Sequence, residues 1–170
     1  MDCELRPWRT EYAEDLAVLL NNKNISDNLR DGLPYPYTAN DARDFIKAML
    51  DSDKNNTFAF SVFKNNELVG SIGIFRQNNI HSRTAELGYY IGEKFWNKGI
   101  ATEAVSKACR FVFGNSDIIR IFAEPFSRNK ASCRVLEKAG FVCEGILKAN
   151  AVKNGVIEDI KMYAKIRNFC

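Results

Sequence analysis

A mixed α/β sheet, mostly antiparallel and flanked by helices, is the fold the sequence predicts, and three observations predict it. Helical and strand periodicities alternate along the chain, without internal repeats or low-complexity segments. Two pairs of strand-like runs are separated by turn residues, at Asn65 and Asn66 and at Asn154 and Gly155, which favours antiparallel hairpins. One strand-like run, "TAELGYYIG", leads through a long helical run into another, "IIRIFAE", and a strand–helix–strand connection sets its two strands parallel. A chain of 170 residues with 46% apolar residues suits one domain spanning 1–170, with no linker.

Each element has its own signal. "CELRPW" reads as the first strand. "EYAEDLAVLLNN" follows Thr10, an N-cap residue type, and puts Ala13, Leu16, Ala17 and Leu20 on one helical face. The two prolines and the glycine of "RDGLPYPYTAN" make a loop, and "DARDFIKAML" a second helix with Phe45, Ile46 and Met49 inward. "TFAFSVF" and "ELVGSIGIF" form a hairpin. The long helix after "TAELGYYIG" stops at Gly114 and Asn115. "KASCRVLEKA" is a short helix capped by Asn129 and ended by Gly140, and the chain finishes in a hairpin that turns at Asn154 and Gly155.

Composition excludes several function classes. The net charge is +3, well short of the clustered basic footprint of a dedicated nucleic-acid binder, so a small anion is the expected partner and direct nucleic-acid binding is not. "MDCELRPW" builds no signal-peptide core and no apolar run reaches membrane-spanning length, which predicts a soluble, cytoplasmic protein without membrane contact. Five scattered cysteines (Cys3, Cys109, Cys133, Cys143, Cys170) form no C-x-x-C pair and argue against both a disulfide framework and a metal site. They are expected to be reduced thiols, mostly buried. His81, the single histidine, sits in the polar turn "NNIHSR" with no patterned nucleophile.

The chemistry concentrates at the start of the long helix. "WNKGIATEA" has Lys98, Gly99 and Ala101 where a first turn usually carries an acid, and no acid before Glu103. A strand ending at Gly92, a short loop and a helix opening at Gly99 present free backbone N–H groups to one point, and the small residues admit a phosphate there. Neither common nucleotide loop, G-x-x-x-x-G-K-[ST] or G-x-G-x-x-G, is present.

From these residues outward the chain resembles the GNAT superfamily of N-acetyltransferases, and within it the RimJ/RimL-like branch that acetylates ribosomal-protein N-termini. The segments that carry the likeness run nearly end to end: "LRPWRTEYAEDLAVLLNN", "LPYPYTANDARDFI", "AELGYYIGEKFWNKGIATEAV", "NKASCRVLEKAGFVCEGILK" and "NGVIEDIKMYA". The resemblance implies the single-domain GNAT fold, acetyl-CoA as co-substrate, and direct transfer to a primary amine. It implies a pyrophosphate segment Q/R-x-x-G-x-G/A on Trp96, Asn97, Lys98, Gly99, Ile100 and Ala101, with Thr102 next to it; Trp96 departs from the Gln/Arg consensus.

By the same likeness the strand through Tyr90, Ile91 and Gly92 holds the pantetheine arm, with an N–H near Tyr90 aimed at the thioester oxygen, and Asn129 contacts the coenzyme. Ser132 would protonate the leaving sulfur, and Glu86 occupies the place of the superfamily's general base. Where some relatives carry a carboxylate before the Asn-Gly turn, this chain has Ala151. The acceptor is expected to be a protein or peptide α-amine, a ribosomal-protein N-terminus by likeness, with Tyr35 and Tyr37 as an aromatic wall. A small amine acceptor (polyamine or antibiotic) and a non-catalytic CoA-binding module are the alternatives. A monomer or homodimer is expected.

Overall fold

The computed structural model describes residues 3–168. Seven strands form one sheet in the order β1-β2-β3-β4-β5-β7-β6. Their ranges are β1 Glu4–Arg6, β2 Thr57–Lys64, β3 Glu67–Arg76, β4 Thr84–Ile91, β5 Arg120–Ala123, β6 Val142–Lys153 and β7 Val156–Ile166. Five helices flank it: α1 Ala13–Leu20, α2 Lys23–Ser26, α3 Ala39–Asp51, α4 Ile100–Asn115 and α5 Lys130–Lys138. The pair β4–β5, joined through α4, is parallel, and every other neighbour pair is antiparallel. This is the mixed, mostly antiparallel sheet that the two hairpins and the single crossover predict.

Side-chain alternation along the strands divides the interior in two. Val62, Val69 and Ile72 pack with Ile100, Val105, Val112 and Leu136 of α4 and α5, and Tyr89 joins them. Their chain neighbours Phe63, Leu68 and Tyr90 join Leu16, Ala17, Leu20 and Ile46 of α1 and α3. Adjacent residues that fall in different clusters mark opposite faces, so α1 and α3 cover one side of the sheet and α4 and α5 the other.

Local chemistry fixes the ends of the elements. Thr38 and Asp41 close a capping box at the start of α3. Asn65 and Asn66, at φ 49° and 62°, turn β2 into β3, and Asn154 and Gly155, at 52° and 77°, turn β6 into β7. Asn129 caps α5 by accepting from the Ser132 N–H, and Gly140 follows that helix at φ 85°. Cys3, Cys109 and Cys133 are buried and Cys143 is exposed, while Cys170 lies outside the described residues.

Two expectations are corrected, and one element is added. Thr10 does not cap α1: Thr10–Tyr12 form a 3-10 turn, and α1 starts at Ala13. α4 runs through Gly114 and Asn115 rather than stopping there. The Asn115 amide donates to the Phe111 carbonyl and the Ser116 hydroxyl to the Val112 carbonyl, so side chains serve the last turn where a glycine cap was expected. α2 was not foreseen. It is one turn long, with Asn22 accepting from the N–H groups of Asn24 and Ile25.

Candidate active site

β4 and β5 pair only through Thr84–Arg120, Ala85–Ile121 and Glu86–Phe122. β4 continues to Ile91, whereas β5 ends at Ala123 and is followed by Pro125, which has no N–H to offer. The two strands therefore part beside Leu87, and a cleft of about 490 Å³ opens there. Its walls are the end of β4, the loop into α4, the first turn of α4, one side of α5 along its length, and α2.

The helix mouth is built as the sequence suggests. Gly99 is the N-cap of α4 at φ 75°, with no side chain capping the helix, and the first acid of the turn is Glu103. Asn97, at φ 60°, is a second left-handed residue in the same loop. A Cβ built on Gly99 would meet no atom within 4 Å, so the cradle is open where a ligand would approach. The N–H groups of Ile100, Ala101 and Thr102 belong to the helix's first turn, which has no intrahelical acceptors. An anion seated there meets the positive end of a helix of 16 residues.

Tyr90, Ile91, Trp96, Asn97, Lys98, Gly99, Ile100, Ala101, Thr102, Asn129 and Ser132 all line this one cleft. Their parts in it differ. The Trp96 indole N–H donates to the Ile91 carbonyl at 2.7 Å, tying the loop to the end of β4. The Lys98 ammonium donates to the Lys94 carbonyl at 2.9 Å. Asn129 spends its amide oxygen on the Ser132 N–H, at 3.1 Å, and its side chain lies in the cleft wall.

Four expected residues lie elsewhere. Gly92 is not in the cleft wall, and its N–H is taken by the Val69 carbonyl at 2.8 Å. Tyr37 is only 5% exposed, packed into the α1–α3 core, and burial pushes its phenol up to about 12; it presents no ring to the cleft. Tyr35 is exposed, and its ring lies 5.6 Å from the Lys23 ammonium. Glu86, on the face of β4 opposite Tyr89, is held by Arg30, whose guanidinium also takes Glu124 at 2.8 Å. Burial raises the Glu86 carboxyl above the usual range against the opposing pull of Arg30, and Glu124 adds to the rise.

Other residues are brought together that the sequence reading missed. Tyr89 reaches across the cleft floor, with its phenol oxygen 2.8 Å from the Ser132 hydroxyl. Arg134 and Lys138, four apart on α5, line the cleft as cations, and that spacing after Lys130 was the available signal. Asn24, Ile25, Asn28 and Leu29 close the side formed by α2. This wall is braced on the last hairpin: Arg128 donates to Asn28 and Glu158, Asn154 to Asp27, and Lys153 to Asp31. Ala151 stands opposite that same Glu158 in the β6–β7 register.

An open anion cradle beside a parting of parallel strands narrows the candidates, and a family model decides between them: one for the acetyltransferase (GNAT) domain matches residues 3–142. The chain belongs to the GNAT acetyltransferase family. The GNAT chain is 36% identical over 115 residues to YjcK, a probable N-acetyltransferase of Bacillus subtilis (strain 168), a match covering 68% of this chain and 64% of that protein. It is 30% identical over 107 residues to the ribosomal-protein-serine acetyltransferase of Escherichia coli (strain K12), covering 63% and 59%. Both matches span less than two thirds of the relative's length.

Among solved structures, a RimL ribosomal-protein α-N-acetyltransferase in complex with coenzyme A superposes with a TM-score of 0.86 at 25% identity, covering 96% of this chain and 93% of that one. A spermidine N-acetyltransferase from Vibrio cholerae superposes at 0.80 with 23% identity, covering 96% and 95%, a likeness of fold alone. Among the described residues no helix is long and apolar enough to cross a membrane, and no His/Cys/Asp/Glu group could hold a metal ion.

Proposed function

We propose that this chain is an acetyl-CoA-dependent N-acetyltransferase of the cytoplasm that passes acetyl directly to a primary amine, and that the acceptor is a protein or peptide α-amine. The observation that carries the reading is the coincidence of an open, acid-free helix mouth with the parting of β4 from β5 in one cleft. The N–H groups of Ile100, Ala101 and Thr102 hold the pyrophosphate, with Asn129, Arg134 and Lys138 as further contacts. The edge of β4 beyond Glu86 is not paired to β5 and takes the pantetheine arm as an added strand, with an N–H near Tyr90 facing the thioester oxygen. Acetyl-CoA supplies an activated acetyl group. Ser132 lies beside the departing sulfur.

An α-amine, with a reference pKa of ~7.7 to 8.0, is substantially neutral near pH 7.5, and a lysine amine at ~10.4 is not. Positioning by the cleft can then supply a large part of the rate without a strong base. Two peptides test this, one offering only an α-amine and the other, N-terminally blocked, only a lysine amine. With the first, kcat/KM is expected to rise with pH and level off near the acceptor's own pKa, and Glu86→Gln to cost far less than the loss of an essential base. Preference for the lysine peptide would overturn the α-amine reading.

Glu86 receives the amine proton directly or through water. If so, Arg30→Gln removes the cation that holds its carboxyl down and leaves the repulsion from Glu124. The group's pKa then rises further, and because only the ionised form accepts a proton, kcat/KM should fall more steeply at the low-pH end, beneath the limb that the acceptor's own pKa sets. An unchanged low-pH profile would show that Glu86 ionisation does not enter the rate. A polyamine acceptor is the second reading, favoured by the two carboxylates, Glu86 and Glu124, that share one guanidinium. Rapid acetylation of spermidine with neither peptide used would establish it.

A further inference from the structure

We propose that Tyr89 is a positioning residue for the transfer step: its phenol donates to the Ser132 hydroxyl oxygen and so turns the Ser132 proton toward the departing sulfur. The inference rests on the proposed placement of Ser132 beside that sulfur. Neither the pyrophosphate motif nor the acid–base candidates point to Tyr89.

The geometry supplies the first argument. The two oxygens are 2.8 Å apart, a good O–H···O distance, and both residues line the same cleft. Tyr89 stands on β4 beyond the last residue pair with β5, and alternation sends its side chain to the face of the sheet where α4 and α5 pack. Among the described residues Tyr89 is the one hydrogen-bond partner of the Ser132 hydroxyl, while the Asn129 oxygen accepts from the Ser132 backbone N–H.

The direction of the bond follows from the chemistry of the two groups. A phenol is the stronger donor and an aliphatic hydroxyl oxygen the better acceptor, so the Tyr89 proton lies between the oxygens and the Ser132 proton is free to point into the cleft. The alternative, donation by the same phenol to the Ser132 carbonyl at 3.4 Å, is the longer and weaker contact.

Burial pushes the Tyr89 phenol up to about 12, which keeps the donor protonated. The same value limits what the pair does. An alkyl thiol ionises near ~8.5, so a phenol held above its ordinary range is much the weaker acid and proton transfer from it to a thiolate is unfavourable. Tyr89 and Ser132 therefore keep their protons: in place of the sulfur protonation that the family resemblance implies for Ser132, the two act as an aligned pair of dipoles toward developing negative charge. The amine lone pair forms the N–C bond, the C–S bond breaks with its electrons leaving on sulfur, and the proton shed by nitrogen goes to Glu86 or water.

The test is a double-substitution cycle on kcat under conditions where chemistry limits the rate, using acetyl-CoA and the α-amine peptide. Tyr89→Phe is close in shape, and titration with acetyl-CoA checks that the variant is folded and binds normally. It is expected to lower kcat about tenfold with the acetyl-CoA KM unchanged, and to lower it no further in a Ser132→Ala background. Equal losses in both backgrounds, a raised acetyl-CoA KM at unchanged kcat, or wild-type kcat in Tyr89→Phe beside a slow Ser132→Ala would each overturn the inference. Wild-type kcat in Ser132→Ala alone would instead remove the placement of Ser132 on which it rests.

Discussion

Gly99→Glu is expected to raise the dissociation constant for acetyl-CoA at least tenfold, the equivalent of about 1.4 kcal/mol. Two effects act in the same direction. The glycine holds φ 75°, a conformation that costs an ordinary residue about 1–2 kcal/mol, so a glutamate there would strain the loop that shapes the cradle. The open space around its missing Cβ is where the pyrophosphate would dock, and a carboxylate there brings bulk and like charge to the helix mouth. Gly99→Asn separates the two, since Asn tolerates the left-handed conformation and adds no charge; a smaller loss is expected from it. Calorimetric titration of a folded Gly99→Glu variant with unchanged affinity would move the phosphate site elsewhere.

The second large effect is expected from Ser132→Ala. A fixed donor aimed at charge that develops in the transition state is worth about 10² to 10³ in kcat, so a loss of about 10² should appear with acetyl-CoA affinity nearly constant. The Ser132 N–H bond to Asn129 survives the change, because the backbone makes it. Helix α5 should therefore keep its cap, and the loss would report on the hydroxyl. Steady-state and single-turnover rates measured together check it: an unchanged rate with chemistry limiting would leave Ser132 as an ordinary first-turn residue.

Most elements were legible because their causes are local. Leu16, Ala17 and Leu20 repeat at helical spacing, Asn65–Asn66 and Asn154–Gly155 carry their turns in their own φ values, and the bare mouth of α4 shows in the run from Lys98 to Glu103. What stayed hidden depends on the third dimension. Gly114 reads as a stop, yet the Asn115 and Ser116 side chains carry α4 past it. α2 has a single buried residue, Ile25, too little for periodicity to register. Tyr37 and Tyr35 stand two apart in one loop, and only packing separates the buried ring from the exposed one. The Tyr89–Ser132 contact joins residues 43 positions apart, and nothing local to either announces it.

The parting of β4 from β5 bears on mechanics as well as on binding. β2 and β3 are stitched from end to end apart from one bulge at Val69, but the leaf β1-β2-β3-β4 meets the leaf β5-β7-β6 through three residue pairs at one end. The sheet is thus two stiff leaves with a short seam between them, held together from behind by α4 and α5. Regions with few paired backbone groups open at lower free energy than the rest of a fold. Breathing of this molecule is then concentrated at the seam, as a small change in the angle between the leaves. A coenzyme arm added to the free edge of β4, as proposed, would fill this gap, so occupancy and stiffness would rise together.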